Sequence, residues 1–222
     1  MTEEYEWEWV TDPRFPIWCV TFSKGLTSGE VMRRYGTDPI AALTLARDEA
    51  GGLYDLALTG GTVLRVGTLG GWAFGYEDVG HAGAHPGPLG ALSRDTETLC
   101  LLRGGGDGTN RLEYWREGER REAFEAGVTG SEPQGERCFW DLVQSAGRGA
   151  SARVGLLIAL QAITDYTGVS LSTNTVQGPL LTAYLSDADR TPDPTPQRPE
   201  LADRGTSGLR RPLGAVRPPS TP

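Results

Sequence analysis

The chain has 222 residues, a net charge of −8 and an apolar fraction of 38%, enough for one hydrophobic core without disulfide or metal staples. No apolar run reaches the roughly 18 residues that cross a bilayer; the longest candidate, 154–163, is interrupted by Gly155 and Gln161. Residues 1–189 hold 15 bases and 26 acids, whereas residues 190–222 hold six arginines and three acids. Such a body repels nucleic-acid backbones and anionic lipid and favours a basic partner.

The chain opens Met-Thr-Glu-Glu-Tyr-Glu, the opposite of the basic start and apolar core of a secretory leader. A cytoplasmic location is therefore expected. From residue 3 to 9 acids alternate with rings, so that Tyr5, Trp7 and Trp9 share one face of an extended segment. That segment reads either as an arm packed on the body or as an arm that docks elsewhere.

Ile17 to Phe22 is β-branched and aromatic and reads as a strand. Thr27-Ser28-Gly29-Glu30 fits a capping box, predicting a helix over about 28–35 that closes at Gly36. Its Val31 and Met32 should face inward and Arg33 and Arg34 lean to solvent. A second helix is expected from Pro39 to Gly51. Leu53–Leu58 and Thr62–Val66 read as strands joined across Gly60-Gly61. Trp72–Glu77 reads as a third, with Trp72, Phe74 and Tyr76 on one face and Ala73 and Gly75 on the other. An aromatic stripe at period two either packs a core or lines a ligand site.

A glycine, proline and histidine loop over 78–87 leads to a short helix near 88–94 and a strand over Thr96–Leu102. Leu112–Arg116 and Arg120–Glu125 flank Glu117-Gly118, a hairpin signal. Pairing there would set Glu113 or Glu125 against Arg121 or Arg116. Cys138–Gln144 and Ser151–Tyr166 look helical, the second closed by Gly168, and Leu180–Leu185 is expected as a short final helix. From Arg190 onward eight of 33 residues are proline, which predicts a disordered tail of polyproline II character. Strand, helices, a run of antiparallel strands and then helices make an α+β fold, an antiparallel meandering sheet whose helices cover one face. The domain is expected over residues 1–189 and the tail over 190–222.

Chemistry is sparse. His81 and His85 lie in a loop just after Glu77 and Asp78. Ligand spacing of four residues works mainly on a helix, and Gly83 makes this a loop, so a surface role is expected and no metal or cofactor. Residues 103–109 are glycine-rich but lack the lysine and following helix of a phosphate cradle. Cys19, Cys100 and Cys138 are odd in number, far apart and each within an apolar stretch, which reads as buried hydrophobes.

Several segments together resemble one family: Tyr5-x-Trp7, Gly25-Leu26-Thr27-x-x-Glu30-Val31-x-Arg33-Arg34-x-Gly36, Gly70-Gly71-Trp72-Ala73, Leu89–Ser93 and Thr167-Gly168-Val169-x-Leu171. The likeness is to uncharacterised small proteins of high-GC Gram-positive bacteria, grouped as a domain of unknown function. It covers about residues 5–185. One lysine against twenty arginines agrees with a GC-rich source. The resemblance implies one domain and no assigned activity. The family loop after the Gly-Gly-Trp strand often carries a tryptophan and other residues where this chain has His81 and His85, which argues further against a metal there.

The sequence therefore points to a non-enzymatic, acidic protein-interaction module with another protein as partner, a basic one among the candidates, and neither nucleic acid nor membrane. Its candidate binding residues are Tyr5, Trp7, Trp9, Trp72, Phe74 and Tyr76. The alternatives are a small-molecule sensor lined by Trp72, Phe74 and Tyr76, or a hydrolase using Asp78, His81 and His85.

Overall fold

The computed structural model describes residues 7–104, 110–128, 130–133, 135–147 and 152–187. Tyr5, the 105–109 part of the glycine-rich stretch and the 190–222 tail lie outside them. Eight strands form one sheet: β1 (Trp18–Lys24), β2 (Leu43–Leu45), β3 (Gly61–Leu69), β4 (Trp72–Glu77), β5 (Glu97–Arg103), β6 (Asn110–Arg116), β7 (Glu119–Glu125) and β8 (Leu180–Ser186). Their order is β2-β8-β3-β4-β1-β5-β6-β7, and every adjacent pair is antiparallel. Six α-helices accompany them among the described residues: α1 (Ser28–Arg34), α2 (Gly51–Gly60), α3 (Pro86–Leu92), α4 (Cys138–Gly147), α5 (Ala152–Thr167) and α6 (Thr173–Gln177). The fold is α+β, as the element pattern predicts.

Alternation along the strands divides the core. On one face Trp72, Phe74 and Tyr76 of β4 join Val20 and Phe22 of β1 and Leu99 and Leu101 of β5. Phe139 of α4, Leu160 and Ile163 of α5 and Val176 of α6 cover them. On the other face Val31 and Met32 of α1 and Leu92 of α3 pack on Leu64, Val66 and Ala73. Helices thus cover both faces, not one. The second layer exists because Leu64 and Val66 alternate with Arg65, giving β3 an apolar stripe that needs its own cover. Each such buried aliphatic or aromatic side chain stabilises the fold by about 1.5–3 kcal/mol.

Local signals hold where they are strong. Thr27 Oγ1 accepts the Glu30 N–H at 3.2 Å, and the Glu30 carboxylate accepts the Thr27 N–H at 2.8 Å. This is the predicted capping box. Val31 and Met32 are buried as expected. Arg34 instead donates to the carbonyls of Ala91, Leu92 and Arg94 at 2.7–3.0 Å, fastening α1 to the end of α3. Between β6 and β7, Glu117 (φ +54°) and Gly118 (φ +80°) are both left-handed, the geometry a two-residue hairpin requires. The register opposes Arg116 to Glu119 and Arg111 to Glu125; Glu113 faces Ala123 and pairs with Arg111 at 2.8 Å instead.

Three segments differ from expectation. Residues 39–50 form turns around the short strand β2, and residues 53–58 lie in α2 rather than a strand. Leu180–Leu185 is strand β8, hydrogen-bonded to β2 on one side and β3 on the other. Sheet pairing supplies both ladders there and overrides the helix preference of leucine and alanine. Trp7 and Trp9 are not on an extended arm either. Trp7 is left-handed (φ +67°) and leads into a 3-10 helix, Glu8–Thr11.

Candidate functional site

Of the six aromatic residues singled out from the sequence, Trp7, Trp9, Trp72, Phe74 and Tyr76 all belong to the larger core cluster. Trp9 meets Trp18 and Tyr76 edge-on, each at 5.1 Å between ring centroids, and its Nε1 donates to the Leu171 carbonyl at 2.7 Å. Trp7 donates to Thr164 Oγ1 at 3.0 Å. Buried indoles choose polar partners in this way, and the result is an N-terminal segment clamped onto α5 and its following loop. The five rings are core packing and present no open ligand face.

The histidine loop is organised from beneath. Glu77 is buried and accepts the N–H groups of Ala82 and Gly83, both at 2.7 Å, and the Thr62 hydroxyl at 2.9 Å. A Cβ at Gly83 would lie 2.2 Å from the Tyr35 hydroxyl and 2.8 Å from Glu77, so only glycine lets the loop close on this carboxylate. His81 and His85 stack at 5.2 Å. Asp78 is buried and bound to Arg47 Nε at 2.6 Å, which occupies the carboxylate a hydrolase would need beside them. Among the described residues no group of three or more His, Cys, Asp or Glu side chains is placed to hold a metal ion. Cys19 and Cys100 are buried with their sulfurs 3.7 Å apart across β1 and β5. Cys138 is exposed, against expectation.

An open cleft of about 590 Å³ lies at the ends of β1, β5 and β6, lined by Lys24, Asp95, Thr96, Glu97, Arg116 and Glu117. Glu97 forms its charged centre. Its carboxylate accepts Lys24 Nζ at 2.9 Å, the hydroxyls of Tyr114 and Tyr166 at 2.8 Å each, and Arg116 at 3.5 Å. Burial pushes the Glu97 carboxyl upward, but the hydrogen bonds from Lys24, Tyr114 and Tyr166 outweigh it and hold the pKa at about 2. A carboxylate that is always ionised and fully bonded is a poor acid or base near neutrality. It ties β1, β5, β6 and α5 together.

The β2 end of the sheet has a different surface. Ile40, Leu43, Leu56 and Leu58 are 91%, 60%, 50% and 76% exposed. They lie on the turn before β2, on β2 itself and on α2, whose neighbours are β3 and β8. Asp38, Asp48, Glu49 and Asp55 are exposed in the same stretch, and its one base, Arg47, is engaged by Asp78. β2 is a three-residue edge strand. A short edge strand with exposed apolar side chains on it and on its neighbours can serve as an interaction surface. Sequence reasoning missed this surface because residues 39–58 read as a helix and a strand, each with an inward apolar face. Only Ala50 and Ala57 of that span are buried apolar side chains.

No helix among the described residues is long and apolar enough to cross a membrane. No curated protein and no solved structure matches the chain. A family model does match, over residues 1–137, spanning the capped helix α1, the histidine loop, the β2 end and most of the Glu97 cleft. By that match the chain belongs to a family of unknown function, DUF6461.

Proposed function

We propose that this chain is a non-catalytic interaction module that binds a partner protein through the β2 end of its sheet. The supporting observation is the set of four large exposed apolar side chains, Ile40, Leu43, Leu56 and Leu58, among four exposed carboxylates. Exposed apolar side chains interspersed with carboxylates complement a partner that offers apolar and basic groups. The excess of acids over bases in residues 1–189 favours the same partner at longer range.

Leu56 and Leu58 are exposed, so replacing both with glutamate should leave the melting temperature unchanged. The full chain and the Leu56→Glu/Leu58→Glu variant would be used in parallel to capture partners from native lysate. A basic protein held by the first, released by raised salt and lost by the second supports the reading. A partner held equally by both places the interface elsewhere.

A further inference from the structure

The basic charge of residues 190–222 is not spread evenly. Residues 190–204 hold three arginines and three acids, which balance; residues 205–222 hold three arginines and no acid. In that last stretch Leu209, Leu213 and Val216 stand among Arg210, Arg211 and Arg217. A segment both apolar and basic has the chemistry that the β2 end calls for, where Ile40, Leu43, Leu56 and Leu58 are exposed among carboxylates.

The chain also leaves the sheet at that end. β8 finishes at Ser186, opposite Gly61. Tyr184 Oη donates to the Gly60 carbonyl at 2.6 Å, and a Cβ at Gly60 would stand 3.8 Å from the Asp187 carboxylate. Gly60 closes α2, so Leu58 and Leu56 lie only about 3 and 6 Å back along the helix axis. Leu43 is opposite Thr182 of β8, about 17 Å along the strand from Asp187. The described residues stop at Asp187, and residues 188–208 then lead to Leu209. A connector of that length spans about 25 Å as a coil, enough to return to the surface beside its own origin. Its prolines stop at Pro199, and Gly205 and Gly208 allow the chain to turn back.

We propose that residues 209–217 dock on the β2 end of their own chain and are displaced by the partner protein. The proposal rests on the reading of that end as a docking surface and names its resident occupant. Leu209, Leu213 and Val216 cover the exposed leucines and Ile40, and the three arginines meet the carboxylates of Asp38, Asp48, Glu49 and Asp55. Tethering places the segment at an effective concentration on the order of 1 mM. A contact with an intrinsic Kd of only about 0.1 mM then keeps the surface about 90% covered and weakens any competitor about 10-fold. The module thereby screens out weak basic proteins and admits a partner that binds more tightly than its own segment.

The test uses the full chain, its Arg210→Ala/Arg211→Ala/Arg217→Ala variant, and a fluorescein-labelled peptide of residues 205–222 read by fluorescence anisotropy at low salt. In the unaltered chain the resident segment competes with the peptide; in the variant it no longer does. The expected result is saturable binding to the variant with a Kd of about 0.1 mM, binding about 10-fold weaker to the unaltered chain, and release of the peptide by about 0.5 M salt. Asp55→Lys/Leu58→Lys, added to the variant, should keep the melting temperature, because both side chains are exposed, and weaken the peptide at least about 10-fold. Three results would overturn the proposal: no saturable binding to the arginine variant, equal binding by it and the unaltered chain, or binding indifferent to Asp55→Lys/Leu58→Lys. Sedimentation velocity adds a fourth, a concentration-dependent dimer that the arginine variant lacks, which would put the segment on a second copy. If the peptide fails while a lysate partner is still lost by Leu56→Glu/Leu58→Glu, the docking surface stands and its resident segment does not.

Discussion

Two clusters in this molecule have the same composition and opposite outcomes. Each contains one carboxylate, two cations and two tyrosines: Glu97 with Lys24, Arg116, Tyr114 and Tyr166, and Asp78 with Arg47, Arg65, Tyr54 and Tyr76. Around Glu97 both tyrosine hydroxyls bond the carboxylate, and the side chains of Lys24 and Arg116 are 59% and 44% exposed, so water supports their charges. Around Asp78 the carboxylate engages the Tyr54 hydroxyl and Arg47, the Tyr76 hydroxyl has no partner among the described residues, and Arg65 is wholly buried. Composition alone does not set what such a cluster contributes; the burial of its cations and the satisfaction of each polar atom do.

The largest effect expected from breaking this contrast is at Asp78. Asp78→Asn removes the counter-charge of two guanidiniums, one wholly buried, and should cost about 3–5 kcal/mol in urea unfolding. Glu97→Gln should cost less, about 2–3 kcal/mol, because Lys24 and Arg116 regain hydration. Equal losses at the two sites would show that burial of the cations does not set the difference.

The pH dependence of stability sharpens the same point. The folded pKa of Glu97 is held at about 2 against an ordinary value of 4.5, so the folded state favours its ionised form. The stabilisation is complete above about pH 4.5 and is lost as pH falls towards 2. Unfolding midpoints measured across this window should fall more steeply for the unaltered chain than for Glu97→Gln. Parallel curves would mean that other carboxylates dominate acid unfolding.

The smallest effects compare tyrosine with tyrosine. Tyr114→Phe removes a bond to an ionised carboxylate and should cost about 1.5–2 kcal/mol. Tyr76→Phe removes a buried hydroxyl with no partner among the described residues and should raise stability by about 1 kcal/mol. Paired melting curves check both. A large loss at Tyr76 would show that its hydroxyl is already matched within the folded chain.

The legible parts of the fold share one property, short range. Thr27 and Glu30 bond each other across three residues, Glu117-Gly118 forms its turn alone, and the alternation of Trp72, Phe74 and Tyr76 is intrinsic to an extended chain. Leu53–Leu58 and Leu180–Leu185 are the counter-case. Both are rich in leucine, alanine and tyrosine, and each adopts the state expected of the other. The first has no sheet edge beside it and buries only Ala57; the second fills the gap between β2 and β3. Composition this similar leaves the decision to the neighbouring backbone.

The candidate sites divide in the same way. By itself the sequence determined the acidic body, the α+β class, the capped helix and the inward face of β4, because charge, capping and alternation act within a few residues. Tertiary structure alone decided that Arg47, Tyr54, Arg65, Tyr76 and Asp78 share one region, since these residues meet only where β3 and β4 lie side by side and α2 packs on β3. It also decided that Ile40, Leu43, Leu56 and Leu58 face solvent. Burial is a property of the assembled layers, and no local spacing encodes which apolar side chain is left without a cover.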